Sequence, residues 1–112
     1  MVERLSDLPI TILNPRRWQA PDDIEEQIIW ELSAMEHADL IIMRFEEHSL
    51  SPITLLEFGR FLTSGKLVVS CPDGYDRALN VYTTANFYHF TDFVEGLDGL
   101  EQAVRDKFSS YR

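Results

Sequence analysis

Two carboxylates stand where their neighbours are mostly apolar. Glu57 lies in the middle of residues 53–62, where Ile53, Leu55, Leu56, Phe58, Gly59, Phe61 and Leu62 put apolar groups almost all round a helix. A helix of that kind is expected to be largely buried. Ile53 and Phe61, one turn to either side, would then desolvate the Glu57 carboxylate. Glu31 stands beside Trp30, at the edge of an apolar stripe set by Ile28, Leu32 and Met35. Acids on two successive helices can supply a nucleophile and a proton donor, the pair that displacement at a sugar's anomeric carbon requires. The residues alone leave a second reading open, in which Glu57 turns to solvent along a polar strip with Thr54 and Arg60. Trp30 is likewise open between stacking on a planar ring and ordinary packing.

The elements that must position these groups follow from patterning. Residues 2–8 read as the end of a helix and 10–13 as a buried strand stopped by Asn14-Pro15. Pro21 and Asp22 open a helix reaching about His37, with Asp22 and Glu25 at capping-box spacing and Ile24, Ile28, Leu32 and Met35 along one face. Residues 40–43 form a continuous apolar run, as in parallel strands covered on both faces. A polar loop over 46–50 leads to Ser51-Pro52, an N-cap hydroxyl followed by proline at the first helical position, and that helix runs to about Thr63 before Ser64-Gly65 stops it. Another buried strand spans 66–70. Beyond Cys71-Pro72-Asp73-Gly74 the pattern gives a helix over 77–84, an extended stretch near 89–93 and a last helix over 97–108. Strands and helices alternating in this way predict an α/β fold, a parallel sheet with helices on both faces. Ligands of such sheets bind beyond the carboxyl ends of the strands. The helix carrying Glu57 starts there, which favours the reactive reading of Glu57.

Bulk properties narrow the classes. The chain of 112 residues is long enough for one domain over 1–112 with a single core, and 45% hydrophobic with 26% charged residues is a globular composition without a membrane span. The N-terminal residues have no apolar signal core, so the cytoplasm is the expected location. The lone Cys71 suits a reducing compartment and is expected as a small buried residue at a strand end. A net charge of -9, with no basic run longer than Arg16-Arg17, excludes sequence-independent binding to polymeric nucleic acid but leaves room for a small phosphorylated ligand. Arg16 and Arg17 follow a strand end, where they could meet a phosphate or sugar hydroxyl or pair with neighbouring acids. His37, His48 and His89 show no metal spacing.

Several stretches carry a further signal: Leu13-Asn14-Pro15-Arg16-Arg17, Gln27-Ile28-Ile29-Trp30-Glu31-Leu32, Ala38-Asp39, Ser51-Pro52-Ile53-Thr54-Leu55-Leu56-Glu57-Phe58-Gly59, Gly65-Lys66 and Cys71-Pro72-Asp73-Gly74. In order and spacing they resemble the successive motifs of the nucleoside 2-deoxyribosyltransferase-like family, over roughly residues 5–80. The resemblance implies a flavodoxin-like parallel sheet and a double displacement on a 2'-deoxynucleoside or nucleotide, with no metal or organic cofactor. Glu57 matches the nucleophile. Glu31 falls at the acid that contacts the nucleobase and handles its proton, where other members carry Asp. Ser51 falls where another acid lies near the sugar in those enzymes, although a related subgroup also has Ser-Pro. Asn80 corresponds to an asparagine reaching the sugar in a neighbouring subunit's site, which implies a homo-oligomer. Trp30 and Arg16 complete the candidate substrate-binding set.

The family pattern begins with a strand and a glycine-containing turn ahead of a helix end like residues 2–8. The chain shows neither, so the sheet is expected to lack its usual first, central strand. We read Met1 as an internal residue of the true first helix. The alternative is a naturally short chain whose flanking strands pair directly or admit a strand from another molecule. The functional expectation is N-glycosyl transfer or hydrolysis. A non-catalytic nucleotide-binding or interaction module of the same fold is the alternative, and fold analogy alone adds a hydrolase of a ribosyl donor.

Overall fold

The computed structural model describes residues 24–109. The expected elements at 2–8 and 10–13, the Asn14-Pro15-Arg16-Arg17 stretch and the capping role of Asp22 lie outside the described residues. The described residues divide between Asp39 and Leu40 into two units.

In the first unit, α1 spans Ile24–His37, with Glu25 and Glu26 in its first turn and His37 in its last. Both placements suit the helix dipole. The His37 ring also donates from Nδ1 to the Ser33 carbonyl at 2.8 Å.

In the second unit two short strands, β1 (Ile41–Arg44) and β2 (Leu67–Ser70), pair in parallel with Ile41 opposite Leu67 and Met43 opposite Val69. Half of each strand is β-branched, Ile41 and Ile42 in one and Val68 and Val69 in the other, which suits a pleated, packed surface. The expectation of full cover on both faces is met on one. Ile41, Met43, Leu67 and Val69 are buried together, while Ile42 and Val68, pointing the other way, are half-buried. The extended stretch expected near 89–93 survives as a single parallel bridge between Phe93 and Val69. There the Val69 N–H donates to the Asp92 carbonyl at 3.0 Å and the Val94 N–H to the Val69 carbonyl at 2.9 Å. The unit is thus mixed α/β around a small two-stranded parallel sheet.

Three helices complete this unit: α2 (Pro52–Phe61), α3 (Ala78–Phe87) and α4 (Gly96–Phe108). Ser64-Gly65 ends α2 as the residue types require. The Ser64 hydroxyl donates to the Phe61 carbonyl at 2.6 Å, and Gly65 takes a left-handed φ of 79°. α4 packs on β2 and buries Leu100 and Val104, while α3 buries Val81 and Ala85. Aromatic rings tie α2 to the sheet and to the segment before the bridge. Phe58 meets Phe45 edge-on at 6.0 Å and Phe90 at 6.1 Å, and Phe90 meets Phe93 at 5.2 Å.

Candidate functional site

The carboxyl edge of the strand pair is built by two loops folded onto one another. β1 continues into Phe45, whose N–H donates to the Ser70 carbonyl at 2.8 Å. The following loop bends through left-handed residues His48 (φ 59°) and Ser51 (φ 42°), and the His48 N–H reaches the Gly74 carbonyl at 3.3 Å. Tyr75, buried, donates its hydroxyl to the Leu50 carbonyl at 2.8 Å and lays its ring 4.7 Å from that of Phe45. Gly74 lies so close to the Glu47 side chain that a Cβ there would come within 3.0 Å of it. These contacts hold the start of α2 against the edge at which open parallel sheets bind ligands.

An open cleft of about 830 Å³ lies along this edge, lined by residues 44–47, 70–73, Tyr82 and 93–96. Its volume is in the range of small-molecule sites. Tyr82 and Phe93 supply aromatic surface, with ring centroids 4.7 Å apart. The lining carries one guanidinium, Arg44, and four acids, Glu46, Glu47, Asp73 and Glu95. Such a set suits hydroxyl and N–H donors and repels a phosphate.

Cys71 stands just past the end of β2, buried as expected. Burial is the main cause that pushes its thiol up from an ordinary 9.0 to about 11. A hydrogen bond with Tyr82 opposes that rise and the charge of Asp73 adds to it. Tyr82 in turn donates its hydroxyl to the Cys71 carbonyl. Burial likewise raises the phenols of Tyr75 and Tyr82. A thiol held at about 11 has about a hundredfold less thiolate at pH 8 than one at 9.0. Iodoacetamide should therefore alkylate the urea-unfolded chain about a hundredfold faster than the folded one, and equal rates would exclude this environment. Because folding favours the protonated thiol, its contribution to stability is complete below pH 9.0 and lost as the pH climbs toward 11.

Among the residues singled out from the sequence, Glu57 sits in the second turn of α2 and is half-buried. α2 is not buried all round, as its composition suggested. Thr54, Phe58 and Phe61 form its inner side, while Ile53 and Leu56 are 61% and 72% exposed. Leu-rich helices of small domains bury only the side that meets a neighbour, and the rest of the apolar surface stays outside. Glu57 is therefore flanked by an exposed Ile53 and a buried Phe61, and it is not among the residues lining the cleft.

Ser51 occupies the N-cap position with Pro52 after it, but its hydroxyl does not cap the helix. In the left-handed region the side chain swings away from the free N–H groups of the first turn. It pairs instead with the Ser49 hydroxyl at 2.7 Å. Asn80 is exposed in the first turn of α3. These three belong to the unit holding the cleft, whereas Trp30 and Glu31 belong to α1, where Glu31 accepts a hydrogen bond from Gln27 Nε2 at 2.9 Å. Arg16 lies outside the described residues.

Sequence reasoning passed over Glu46, Glu47, Tyr75, Tyr82 and Glu95. The rule that ligands bind after strand ends points to Glu46 and Glu47. Tyr82 has no local signal, because its place at the cleft depends on how α3 packs. Among the described residues no group of three or more His, Cys, Asp or Glu side chains could hold a metal ion, and no helix is long and apolar enough to cross a membrane.

Comparison with known proteins adds one finding. The sequence model of the family described as "nucleoside 2-deoxyribosyltransferase like" matches residues 1–75 of the 112. The match takes in Arg16, Trp30, Glu31, Ser51 and Glu57, and Asn80 and Tyr82 fall beyond it. No curated protein matches the chain.

Proposed function

Because the chain belongs to the nucleoside 2-deoxyribosyltransferase-like family, we propose that it cleaves the N-glycosyl bond of a 2'-deoxynucleoside through Glu57. In the first step a Glu57 carboxylate oxygen attacks C1', the C1'–N bond breaks, and the base departs with the bonding pair and takes a proton from Glu31. In the second step another base or water attacks C1', gives up a proton to the Glu31 carboxylate and releases the Glu57 carboxylate. Glu57 and Glu31 take these roles from the family motif. The observation that carries the reading is the family match across the α2 segment, which begins at the carboxyl edge of the parallel strands. The excess of acids in the neighbouring cleft supports an uncharged nucleoside over a 5'-phosphorylated one. Under this reading the sheet extends in the flavodoxin-like order.

The test is chromatography of free base after incubation with 2'-deoxynucleosides, with and without a second base as acceptor. Release without an acceptor identifies hydrolysis, and exchange identifies transfer. A second reading, a binding module without turnover, is favoured by the absence of Glu57 from the cleft lining and by the pairing of the Ser51 hydroxyl with Ser49. Calorimetric binding with no base release would select it.

A homo-oligomer belongs to the same proposal, and α3 is the surface that suits it. Residues 78–91 carry no Asp, Glu, Lys or Arg, the longest such stretch in a chain of net charge -9. Leu79, Phe87 and Tyr88 are exposed there, alongside Asn80. Two acidic copies can meet on this surface without opposing like charges. Light scattering after size exclusion should show more than one 13.0 kDa chain per particle, reverting to one chain in Phe87→Asp. A monomeric parent protein would refute the interface.

A further inference from the structure

A run of aromatic rings leads out of the core and ends in the open cleft. Phe58 of α2 meets Phe90 at 6.1 Å, Phe90 meets Phe93 at 5.2 Å, and Phe93 meets Tyr82 of α3 at 4.7 Å. Phe58 is 2% exposed, whereas Tyr82 is 37% exposed and stands in the cleft lining. A phenol so placed can serve a ligand by its hydroxyl or by its ring. The hydroxyl proton of Tyr82 is already engaged, because it is donated to the Cys71 carbonyl. That bond and the Phe93 contact hold the ring in one orientation. Tyr82 therefore offers a flat, fixed apolar surface. Beside it the cleft presents acceptors: Glu46, Glu47, Asp73 and Glu95. Among the described residues none of these four carboxylates takes part in a hydrogen bond or ion pair. Glu95 stands at the N-cap of α4 without capping it. A ligand that meets both features is flat enough to stack on a phenol ring and carries N–H donors on its rim.

We propose that the cleft binds a free nucleobase bearing an exocyclic amino group, stacked on the Tyr82 ring with its N–H groups turned to the carboxylates. The inference rests on the proposed reaction only in taking the flat ring to be a nucleobase, which that reaction releases and accepts. Glu57 is not part of the cleft lining, so binding there needs no step at C1'. An ionised carboxylate only accepts, so an amino group adds a bond that a bare ring edge cannot make. A held aromatic ring stacks on any base, and the carboxylates select among bases by their donors.

The experiment is a calorimetric titration of the full-length protein with adenine and with unsubstituted purine, which keeps the ring and lacks the amino group. Neither ligand has a glycosyl bond, so nothing turns over during the titration. Adenine should bind at least about threefold more tightly than purine. In Tyr82→Leu, which stays apolar and loses the flat face, adenine affinity should fall at least about fivefold, and Tyr82→Phe should stay within about threefold of the parent protein. Nuclear magnetic resonance of the unsubstituted protein locates the site even if Tyr82→Leu fails to fold. Adenine should shift the backbone amides of residues 44–47 and 93–96 more than those of the rest of the chain. No binding of adenine, equal binding of purine, an affinity unchanged in Tyr82→Leu, or shifts centred elsewhere overturns the inference. Binding of 2-deoxyribose in place of adenine would also overturn it, because a sugar offers donors without the flat ring. Adenine bound by a protein that releases no base from 2'-deoxynucleosides would refute the proposed chemistry and leave the cleft assignment standing. Base release by a protein that does not bind adenine would do the reverse.

Discussion

Replacing Glu57 with alanine is expected to abolish release of the base, lowering kcat by at least about 10³-fold, because no covalent ester with C1' can then form. Glu57→Gln should be equally inactive, since the amide keeps the shape and loses the nucleophilic charge. Both substitutions fall on a half-buried position of α2, and alanine and glutamine are good helix formers. Far-UV circular dichroism and the melting temperature should therefore stay close to those of the parent protein, so that lost turnover cannot be mistaken for lost folding. Turnover surviving in Glu57→Ala would remove the double displacement. If Glu57→Ala were inactive while the parent protein exchanges bases, the role would be secured by the chemistry as well as by the motif.

The largest loss of stability is expected from Phe45→Ala. Phe45 is 1% exposed and continues β1 at the carboxyl edge. Its ring touches Phe58 of α2 at 6.0 Å and Tyr75 of the opposite loop at 4.7 Å. Truncation removes the ring from a packed interior and leaves a cavity, at a cost of about 3–5 kcal/mol. For a chain of this size that corresponds to a fall in Tm of more than about 10 °C. Phe45→Leu, which keeps much of the volume, should cost about 1.5 kcal/mol or less. A Tm shift in Phe45→Ala no larger than that of Phe45→Leu would show that the two loops do not depend on this ring.

Much of the local structure was legible in the residues. The apolar runs at 40–43 and 66–70 became β1 and β2, and Ser51-Pro52 and Ser64-Gly65 bracketed α2 to within about two residues. These signals are local: β-branched runs, a proline tolerated at the first helical turn and a glycine free to take φ of 79° act within a few residues of themselves. The motif wording around Glu57 was enough to place the chain in its family, since it needs only order and spacing.

Other features were settled by contacts between elements. Composition made α2 look buried on every side, but only Thr54, Phe58 and Phe61 meet a packed neighbour. Ser51 has the residue type of a cap and the position of one, yet a left-handed backbone turns its hydroxyl to Ser49. The cleft is assembled by loops whose meeting depends on Tyr75 reaching Leu50 and on Phe45 stacking beside it, pairings across 25 and 30 positions of sequence. The sequence by itself thus determined the order of elements, the family and the carboxylate motif, because each is written in adjacent residues. Only the tertiary structure decided which side of a helix is wet, where a hydroxyl points and which acids share a cleft. Those outcomes depend on which distant groups exclude water from one another, and no local pattern encodes that.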